Sequence, residues 1–528
     1  MVASLLRNLT SGVQDGRLLP PKGQPNISMF TKAFIRAGRF TTQWVRLDFD
    51  NSPTLGNTSI LTIPRKGHLV TRLYLVTTMP DIYTVQNKAQ EYATSNSQQL
   101  LGPHFGWTNS LGHALINETS IEIGGARVER LDGRLLEVMD EFYTPLEKQA
   151  SMNKLIKRKD NGFNYNSFGG SDETPSVVVT PLPFWFSCGD SGLALPIDAI
   201  QSDLVRLSIK FNPLNSLYVS SAQVNLPTTL PVGGDAYYSL SNSSFYVSDP
   251  NGSPVYGLNG NPNQSDLASK IPGIQMPNTF NLGSTYILAE YVYLDKPEAN
   301  KFRLSDIKVP IVQHYPFDPI DSQNLNRINY KFSVPNPTRN LFFYMNHFDA
   351  VRYNAPFLAT RDLSGNDYNE DASGGPDIPT TTPWWPDASG LENPQNLGTI
   401  RSAFSTRDSE PLSRIVLEYE GKLIRYGTDA PSLFRSILPS LEMRKSPWVN
   451  RYYYTLMFGF QHGLLPPSLP SGEANLDKML NINLQLMLHP NTGSLNPNNV
   501  NRFFLYLWAE TYNILRVYGG RAGLLFAY

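Results

Sequence analysis

Two stretches of the chain, FWFSCGDSGLALPIDAIQSDLVRLSIKF (Phe184–Phe211) and FGFQHGLLPPSLPSGEANLDKMLNINLQLML (Phe458–Leu488), share the pattern that decides the fold. An offset of 274 positions carries three residues onto residues of the same type: Phe184 onto Phe458, Pro196 onto Pro470 and Asp203 onto Asp477. Both stretches end in alternating apolar and polar residues, over Leu204–Phe211 and Leu480–Leu488. Such alternation is typical of a half-buried strand. The sequence therefore predicts a repeated strand together with the connection that precedes it.

Three further matches occur in the same order in both parts of the chain. They are Ile63-Pro64 with Leu73-Tyr74-Leu75 against Val334-Pro335 with Leu341-Phe342-Phe343, Ile121–Gly125 against Leu417–Gly421, and Ala289-Glu290 against Ala509-Glu510. Their offsets are 271, 296 and 220 positions, as loop insertions between retained strands would produce. We therefore predict two copies of one domain, over residues 28–300 and 301–528, preceded by an N-terminal arm over residues 1–27.

The lengths of strands and loops indicate the architecture of each copy. Each copy contains about eight strand-like runs, and three connections are long and polar, at residues 81–113, 213–282 and 351–410. Strands joined by such unequal loops favour a jelly roll, in which two sheets pack face to face. The predicted fold class is all-β: two tandem eight-stranded jelly rolls with long loop insertions and few short helices. The best helical candidate spans residues 131–159 and is interrupted at Pro145.

The composition excludes several classes of protein. Of the 528 residues, 17% are charged and 12% are aromatic, which is typical of a β-rich globular chain rather than of a coiled coil or a disordered segment. The formal net charge is −1, whereas a protein that packages nucleic acid by neutralising phosphates carries a basic excess. We therefore expect no direct nucleic-acid partner and little long-range repulsion against self-association.

Cysteine content and hydropathy narrow the class further. The chain has one cysteine, Cys188, so an intrachain disulfide and a Cys-x-x-Cys metal site are both excluded. Its apolar runs are all shorter than the ~18 residues that a transmembrane helix needs. Residues 1–16 contain only short apolar stretches, from which we expect no signal peptide.

The sequence GDSG at Gly189–Gly192 resembles the surroundings of the nucleophile in trypsin-like serine proteases. A nucleophilic serine needs a histidine base that is itself oriented by a partner. The histidines that precede it, His68, His104 and His113, lie in contexts unlike the Ala-Ala-His-Cys sequence of those enzymes. We therefore interpret the motif as a tight turn after a strand, and we predict that the protein has no catalytic residues.

The remaining polar clusters have structural interpretations. The seven histidines show no metal-binding spacing, and the acidic loop at residues 362–377 departs from the spacing of a calcium-binding loop. We therefore predict no metal site and no cofactor. The basic cluster at residues 154–159, which includes Arg158, is interpreted as the solvated end of a helix. Gly124-Gly125 is interpreted as a hairpin turn or a bulge.

Several Asn-x-Ser/Thr sequences occur in the chain, and three of them lie in the second long loop, at Asn242, Asn251 and Asn263. These asparagines are candidate glycosylation sites on the surface of the molecule. Because we expect no signal peptide, we also expect that ordinary glycosylation in the secretory pathway does not reach them.

Several segments resemble the major capsid proteins of nucleocytoplasmic large DNA viruses. They are Thr62–Val70, Ile121–Gly125 with Val128-Glu129, Leu182–Phe186 through Leu204-Val205-Arg206, Tyr291–Asp295, and Tyr512–Arg516 followed by Gly519-Gly520. The match over residues 182–206 is the most specific one, and the resemblance spans nearly the whole chain apart from the three long loops. In this family the Asp190-Ser191-Gly192 sequence falls in a structural turn, which agrees with the interpretation given above.

The resemblance implies a structural protein with a double jelly-roll fold and no catalytic residues. It also implies a homotrimer that forms a pseudo-hexagonal capsomer and tiles an icosahedral shell. The implied partners are neighbouring capsomers, minor capsid and penton proteins and usually an inner viral membrane. The implied location is the virion, after assembly in the host cytoplasm. The alternative is a carbohydrate-binding or carbohydrate-processing β-sandwich, because jelly rolls also serve lectins.

Runs of consecutive aromatic residues favour self-association on physical grounds. They are Phe342-Phe343-Tyr344, Tyr452-Tyr453-Tyr454 and Trp384-Trp385. Neighbours in a strand point to opposite faces, so a monomer is expected to expose part of these side chains, and large exposed apolar patches usually mark interfaces. We therefore predict an obligate homotrimer that buries more than roughly 2,000 Å² at each subunit pair.

Overall fold

Antiparallel strands are the main regular structure of the described residues. The computed structural model describes residues 39–79, 99–100, 105–158, 177–187, 191–220, 247–248, 254–256, 282, 284–347, 356–357, 359, 410–420, 423–447, 451–461, 463–464, 471–479, 481–489 and 502–526. In the strand Val205–Phe211, odd-numbered residues are buried and even-numbered residues are exposed or half-buried. This alternation places one face of the strand on a core and leaves the other face outside it.

The first half of the chain builds two four-stranded sheets. Its strands are β1 (Phe40–Asp48), β2 (Thr58–Thr62), β3 (Leu69–Thr78), β4 (Ile116–Ile123), β5 (Ala126–Asp132), β6 (Val177–Pro181), β7 (Val205–Phe211) and β8 (Thr285–Leu294). One sheet has the order β1-β8-β3-β6 and the other has the order β2-β7-β4-β5. Each pair of neighbouring strands is antiparallel, and the two sheets together form a jelly roll.

The second half repeats this topology. Its strands are β9 (Ile307–Pro316), β10 (Arg327–Phe332), β11 (Thr338–His347), β12 (Leu412–Tyr419), β13 (Leu423–Thr428), β14 (Tyr453–Met457), β15 (Ile482–Leu488) and β16 (Phe503–Tyr518). Their orders are β9-β16-β11-β14 and β10-β15-β12-β13, so each strand takes the place of the strand numbered eight lower. Two short strands, Ile320–Asp321 and Arg521–Leu524, also pair with β16. The predicted double jelly roll is confirmed.

The strand registers identify equivalent residues in the two jelly rolls. Leu73 of β3 pairs with Ala289, and Leu341 of β11 pairs with Ala509. In both jelly rolls the ladder then skips one residue of β3 or β11 at the same place. A second pair of strands shows the same correspondence: Ile121 pairs with Leu207, and Leu417 pairs with Leu484. These sequence matches are therefore confirmed at the level of single residues.

The predicted equivalence of Phe184 and Phe458 is confirmed. The Leu182 N–H donates to the carbonyl oxygen of Leu73, and Leu456 pairs with Leu341, which is the residue equivalent to Leu73. Phe184 and Phe458 each follow two residues later. The predicted equivalence of two aspartates is wrong. Asp203 lies two residues before β7, whereas Asp477 lies in a 3-10 turn five residues before β15. The second connection is thus three residues longer, which shifts the register after the shared phenylalanine. Pro470, the predicted counterpart of Pro196, lies outside the described residues.

Helices are short, and most of them lie between the fifth and sixth strands of each jelly roll. They are α1 (Leu111–Ala114), α2 (Gly133–Tyr143), α3 (Leu146–Ile156), α4 (Lys296–Leu304) and α5 (Leu438–Glu442), and a π-helix (Leu433–Ile437) precedes α5. The predicted break at Pro145 is confirmed, because this residue ends the gap between α2 and α3 as the N-cap of α3. Helix α2 begins where the Asp132 side chain accepts hydrogen bonds from two backbone N–H groups.

The hairpin between β4 and β5 turns at Gly124-Gly125, as predicted. The two φ angles are +61° and +86°, and glycine adopts such positive values without strain. A Cβ atom on Gly124 would also lie 2.9 Å from the Asp203 carboxyl carbon. The turn therefore needs glycine both for its backbone conformation and for its close contact with the connection that leads into β7.

The three long loops lie largely outside the described residues. Short strands are described within or beside the first two of them: Gln99–Leu100, Phe105–Trp107, Tyr218–Ser220, Val247–Ser248 and Pro254–Tyr256. Phe105–Trp107 pairs with Tyr218–Ser220, and Val247–Ser248 pairs with both of the other short strands. These pairs join the loop after β3 to the loop after β7, which places both insertions at the same end of the first jelly roll.

Candidate assembly interface

The GDSG motif belongs to the connection between β6 and β7. Ser191–Leu193 forms a short 3-10 turn, and Leu195 then exchanges two backbone hydrogen bonds with Val70, at 2.9 and 3.0 Å. Thr338 and Ala474 form the same isolated bridge in the second jelly roll. Because the bridge recurs in both copies, the segment that follows Ser191 is a structural element of the repeat.

The remaining candidate sites concern metal ions, a membrane-spanning helix and glycosylation. Within the described ranges, no group of three or more His, Cys, Asp and Glu residues could hold a metal ion, and no helix is long and apolar enough to cross a membrane. The acidic loop at residues 362–377 lies outside the described residues. So do the three candidate glycosylation sites, Asn242, Asn251 and Asn263.

The outer face of the β9-β16-β11-β14 sheet, directed away from its own core, is covered by the first half of the chain. The Phe342 side chain is 0% exposed, and its ring lies 5.5 Å from the Phe142 ring and 6.1 Å from the Tyr143 ring of α2. Tyr344 points the same way and stacks on Trp508 at 6.1 Å. The contact between the two jelly rolls is therefore an aromatic layer with helix α2 on top.

Polar side chains at the beginning of α2 complete this layer. Arg134 Nη1 donates hydrogen bonds to the Tyr344 hydroxyl at 2.9 Å and to the Pro356 carbonyl oxygen at 2.7 Å, and its guanidinium lies 4.1 Å from the centre of the Tyr506 ring. Trp508 Nε1 donates to the Asp132 carboxylate at 2.7 Å. Burial raises the pKa of Tyr344, so its hydroxyl stays protonated and able to donate to Pro356.

A second polar contact crosses the junction beside β9. The Tyr143 hydroxyl donates to both oxygens of the Glu510 carboxylate, at 2.9 and 3.0 Å, and His314 Nδ1 lies 3.0 Å from Glu129 Oε1. The other Glu129 oxygen accepts a hydrogen bond from the Trp185 backbone at 3.0 Å. Burial raises the pKa of Glu129, and the hydrogen bond from His314 opposes this only in part.

A buried ion cluster lies at the other side of α2. Arg451 Nη1 donates to Glu137 Oε1 at 2.9 Å and to Glu141 Oε1 at 2.5 Å, and Lys445 Nζ lies 2.9 Å from Glu141 Oε2. Arg158 Nη2 lies 2.5 Å from Glu137 Oε2. Burial alone would raise the pKa of Glu137, but the charges of Arg158 and Arg451 and the hydrogen bond with His113 together outweigh it and hold that pKa well below its usual range.

Two predictions about the surface of the molecule are wrong. Arg158, interpreted as part of a solvated helix end, has a side chain that is 0% exposed within the ion cluster. The aromatic runs at residues 342–344 and 452–454, expected to remain exposed in a monomer, are at most 2% exposed. Phe342 is covered by α2 of the first half, whereas Arg158 is paired with Glu137 and Asp140 of its own half. Trp384-Trp385 lies outside the described residues.

The equivalent outer face of the first jelly roll is much more exposed. Trp44 is 44% exposed, and its ring lies 5.7 Å from the Tyr74 ring on the neighbouring part of the sheet. The Arg46 guanidinium lies 4.3 Å from the centre of the Tyr286 ring. The registers make three residues of this face equivalent to residues of the covered face: Trp44 to His314, Tyr74 to Phe342 and Tyr286 to Tyr506.

The counterpart of α2 in the second jelly roll is the helical segment over residues 433–442, which also follows the fifth strand of its half. Its inward side packs on its own jelly roll, because Phe434 is 0% exposed and the Arg435 guanidinium lies 4.8 Å from the Tyr452 ring centre. Its outward side carries two exposed apolar residues, Ile437 at 51% and Leu441 at 62%. The chain thus presents both an exposed aromatic face and an exposed apolar helical segment.

Comparison with known protein families explains what this architecture serves. A model for the N-terminus of major capsid proteins matches residues 28–249, and a model for large eukaryotic DNA virus major capsid proteins matches residues 303–523. The chain belongs to this family of viral major capsid proteins. Proteins of this family are structural components of the capsid, so the capsid protein is not an enzyme, as predicted.

Relatives of this capsid protein come from several large DNA viruses. Capsid protein 1 of Acanthamoeba polyphaga mimivirus is 26% identical over 227 residues, which are 42% of this chain and 36% of the relative. The major capsid protein of Phaeocystis pouchetii virus is 25% identical over 268 residues, which are 47% of this chain and 48% of the relative. The matches therefore span less than half the length of each of these relatives.

Solved structures show the same fold. A chain of the PBCV-1 virus capsid superposes with a TM-score of 0.63 at 17% identity, covering 95% of this capsid protein and 100% of that chain. The Faustovirus major capsid protein superposes with a TM-score of 0.58 at 11% identity, covering 98% and 97%. The double jelly roll derived from the strand order is thus shared over nearly the whole chain.

Proposed function

We propose that this capsid protein forms a homotrimer, which is the pseudo-hexagonal capsomer that tiles the icosahedral shell of a large double-stranded DNA virus. The observation that carries the proposal is the unequal exposure of two equivalent faces. The outer face of the second jelly roll is covered by the same chain, whereas the equivalent face of the first exposes Trp44. An exposed face of large apolar side chains usually marks an interface.

The contact already made within the chain supplies the model for the contact between chains. Within the chain, α2 of the first jelly roll covers the outer face of the second. Between chains, the 433–442 segment of one copy covers the outer face of the first jelly roll of the next. Such a heterologous contact generates a ring if its rotation closes and a filament if it does not. Three chains with two jelly rolls each close a ring of six similar units.

The chemistry of the two surfaces suits this contact. Trp44 and Tyr74 on one surface and Ile437 and Leu441 on the other are apolar, and full burial of such a side chain contributes about 1.5–3 kcal/mol. The net charge of −1 leaves little long-range repulsion between copies. Arg46, whose side chain is 56% exposed beside Tyr286, keeps the face soluble before it is covered.

Light scattering coupled to size-exclusion chromatography tests the homotrimer. The expected mass is about three times that of the 59.1 kDa chain, and it should persist on dilution, since permanent interfaces bury more than roughly 2,000 Å². A folded monomer at micromolar concentration would contradict the proposal and restore the carbohydrate-binding alternative. A continuous series of increasing masses would show an open filament instead of a closed ring.

We propose the larger assembly on the basis of the family resemblance. We infer that capsomers contact one another, the penton protein and minor capsid proteins in the virion, near an inner membrane and after assembly in the host cytoplasm. The net charge supports the expectation that the protein does not bind the genome directly. Cross-linking of purified virions with mass spectrometry tests this arrangement, since cross-links should join this chain to minor capsid proteins. Ultraviolet cross-links to nucleic acid would contradict the last point.

The N-terminal arm is proposed to act at the inner side of the shell. Residues 1–27 lie outside the described residues, and the first described strand begins at Phe40, which pairs with Leu294 at the end of β8. A short isolated segment is marginal as a helix in water, so we expect it to order against a neighbour. Deleting residues 1–27 should leave trimers intact and impair shell assembly. Failure of the truncated chain to trimerise would assign the arm to the trimer contact.

Glycosylation of the second long loop remains a proposal of its own. The candidates are Asn242, Asn251 and Asn263, and a modified loop would place sugars on the surface of the capsomer. Intact-mass spectrometry of protein from virions tests this directly. A mass equal to that of the unmodified chain would exclude glycosylation at all three residues.

A further inference from the structure

The ion cluster beneath α2 contains residues from both jelly rolls. Glu137, Asp140 and Glu141 of α2 and Arg158, just after α3, come from the first jelly roll. Lys445 and Arg451 come from the second, between the 433–442 segment and β14. Each of these six residues is at most 8% exposed. The cluster therefore links α2 to the chain segment that is proposed to contact the neighbouring copy.

The carboxylates of the cluster are offset only when both jelly rolls contribute positive charge. The first jelly roll supplies three carboxylates, the cation Arg158 and the imidazole of His113, whose Nδ1 lies 2.7 Å from Glu137 Oε2, so carboxylates outnumber positive charges there in either charge state of the imidazole. Lys445 and Arg451 add two positive charges, which contact Glu137 and Glu141. Leaving a buried charge without its partner is strongly unfavourable. The buried carboxylates of the first jelly roll are therefore fully paired only when the second jelly roll is docked.

Lys445 holds the 433–442 segment close to its C-terminal end. Lys445 follows the last residue of α5 by three positions, and its ammonium donates to the Gln149 side chain of α3 as well as contacting Glu141. Contacts within the second jelly roll hold both ends of the segment as well: Arg435 lies over Tyr452, and the Gly463 N–H donates to the Glu442 carbonyl oxygen at 2.9 Å. The position of Ile437 and Leu441 at the surface thus depends on the first jelly roll as well as on the second.

We propose that the ion cluster makes recruitment of the next copy conditional on docking of the two jelly rolls within a chain. Lys445 and Arg451 act as positioning residues, because they fix the 433–442 segment without themselves lying at the surface. In a chain whose jelly rolls have not docked, the contact segment lacks its anchor on the first jelly roll, so such a chain is kept out of the capsomer. This inference rests on the proposed homotrimer, and its partner is a second copy of the chain.

Three variants and two measurements test the proposal on the full-length chain. Lys445→Met removes the charge and keeps most of the side-chain volume, Glu141→Gln removes one carboxylate charge at nearly constant shape, and Lys445→Arg retains the charge. Ile209→Ala serves as the matched control, because it creates a cavity in the core of the first jelly roll, where Ile209 is 0% exposed. Hydrogen exchange over residues 433–442 and the trimer dissociation constant from sedimentation are measured for each.

Lys445→Met and Glu141→Gln should keep both jelly rolls folded, while amides of the 433–442 segment exchange at least about tenfold faster. The trimer dissociation constant should rise at least about tenfold in both variants. Lys445→Arg should restore both values, and Ile209→Ala should lower the melting temperature without changing either. Wild-type exchange and wild-type trimers in Lys445→Met would overturn the proposal, and Glu141→Gln decides by the same criterion if Lys445→Met does not fold. A wild-type chain that never trimerises would refute the homotrimer, while the exchange rates would still decide whether the cluster anchors the segment.

Discussion

Equivalent faces of the two jelly rolls have opposite environments. In the second jelly roll, His314 and Phe342 are 7% and 0% exposed because α2 and its neighbours lie on them. In the first, the equivalent Trp44 is 44% exposed and Tyr74 is half-buried. Since the strands and their registers correspond, the difference comes from what lies on each face. One contact is completed within the chain, and in the proposed homotrimer the other is made by a second chain.

The polar groups of the two faces also differ in where their hydrogen-bond partners lie. Glu510 of the covered face accepts hydrogen bonds from Tyr143 of the other jelly roll. Its equivalent on the exposed face, Glu290, is paired within its own sheet, with Thr71 Oγ1 at 2.8 Å and Arg72 Nη1 at 3.2 Å. The exposed face therefore satisfies its own charges, and what it leaves exposed is mainly aromatic surface and arginine. This is the expected state of a face that is soluble first and buried later.

The largest expected effect comes from placing charges on the exposed face. The double substitution Trp44→Glu and Tyr74→Glu should leave a folded monomer, because burying unpaired carboxylates in the trimer contact costs several kcal/mol, about a hundredfold or more in affinity. Sedimentation velocity at micromolar concentration measures the loss. Ile60→Glu is the control, since Ile60 is 43% exposed on the other sheet of the same jelly roll. A double variant that still sediments as a trimer would remove the exposed face from the interface.

Among substitutions at the covered face, one that breaks the ion cluster should lower the free energy of unfolding most. Arg158→Leu leaves Glu137 and Asp140 without their nearest cation, and removing one partner of a buried pair costs about 3–5 kcal/mol of unfolding free energy. Urea denaturation followed by fluorescence measures this change. Arg303→Leu removes an exposed pair with Asp198 and should leave the midpoint unchanged. Equal midpoints for the two variants would show that the cluster contributes no more than a surface pair.

The carboxyl groups of the junction should respond to acid in opposite directions. Burial raises the pKa values of Glu137 and Glu141, but Arg158 and Arg451 outweigh it, so these pKa values lie below the usual range. Their contribution to stability is present at neutral pH and is lost as pH falls through the lowered values. Burial raises the pKa of Glu129, so its contribution is present at acidic pH and is lost as pH rises through the raised value.

Two isosteric substitutions separate these contributions. Urea midpoints at about pH 7 and about pH 3 should show that the wild type is less stable in acid. Glu137→Gln should reduce the difference between the two midpoints, and Glu129→Gln should enlarge it. Identical differences in all three proteins would mean that neither carboxyl group is coupled to folding in the way the contacts indicate.

The smallest expected effect concerns the protease-like motif. Ser191→Ala should leave trimer formation and the global fold unchanged, because Ser191 begins a structural turn of the repeat and only the stability of that turn depends on it. Hydrolysis of a general esterase substrate should be absent before and after the substitution. Loss of a hydrolytic activity with folding intact would restore the enzymatic interpretation.

The sequence contained enough to predict the repeat and the fold. Alternation along Val205–Phe211 marked the strands, and ordered matches such as Ile121 with Leu417 marked equivalent positions to the residue. The break at Pro145 divided the helical segment where the structure divides it. These features are local, since each depends on residue types within a few positions of the chain. The match of Asp203 with Asp477 failed because a constant offset between two parts of a sequence does not reveal an insertion between the matching residues.

The environment of each face could not be predicted in the same way. Phe342 and Tyr74 occupy equivalent strand positions, and alternation directs both away from their own cores. Which of them is buried depends on α2, a helix about two hundred residues away from Phe342 in the sequence. Arg158 was misplaced for a related reason, because its partners Glu137 and Glu141 lie on α2, and only the folded chain brings α2 beside the end of α3. Only the distances in the folded chain reveal such a cluster.

The contact between copies is tested most directly by a photo-reactive amino acid at position 44. Trimers assembled from isotopically light and heavy chains distinguish cross-links within a chain from cross-links between chains. The proposed arrangement predicts cross-links from position 44 to residues 433–442 of a different chain, near Ile437 and Leu441. Cross-links to the first jelly roll of the neighbour, or only within the same chain, would contradict it.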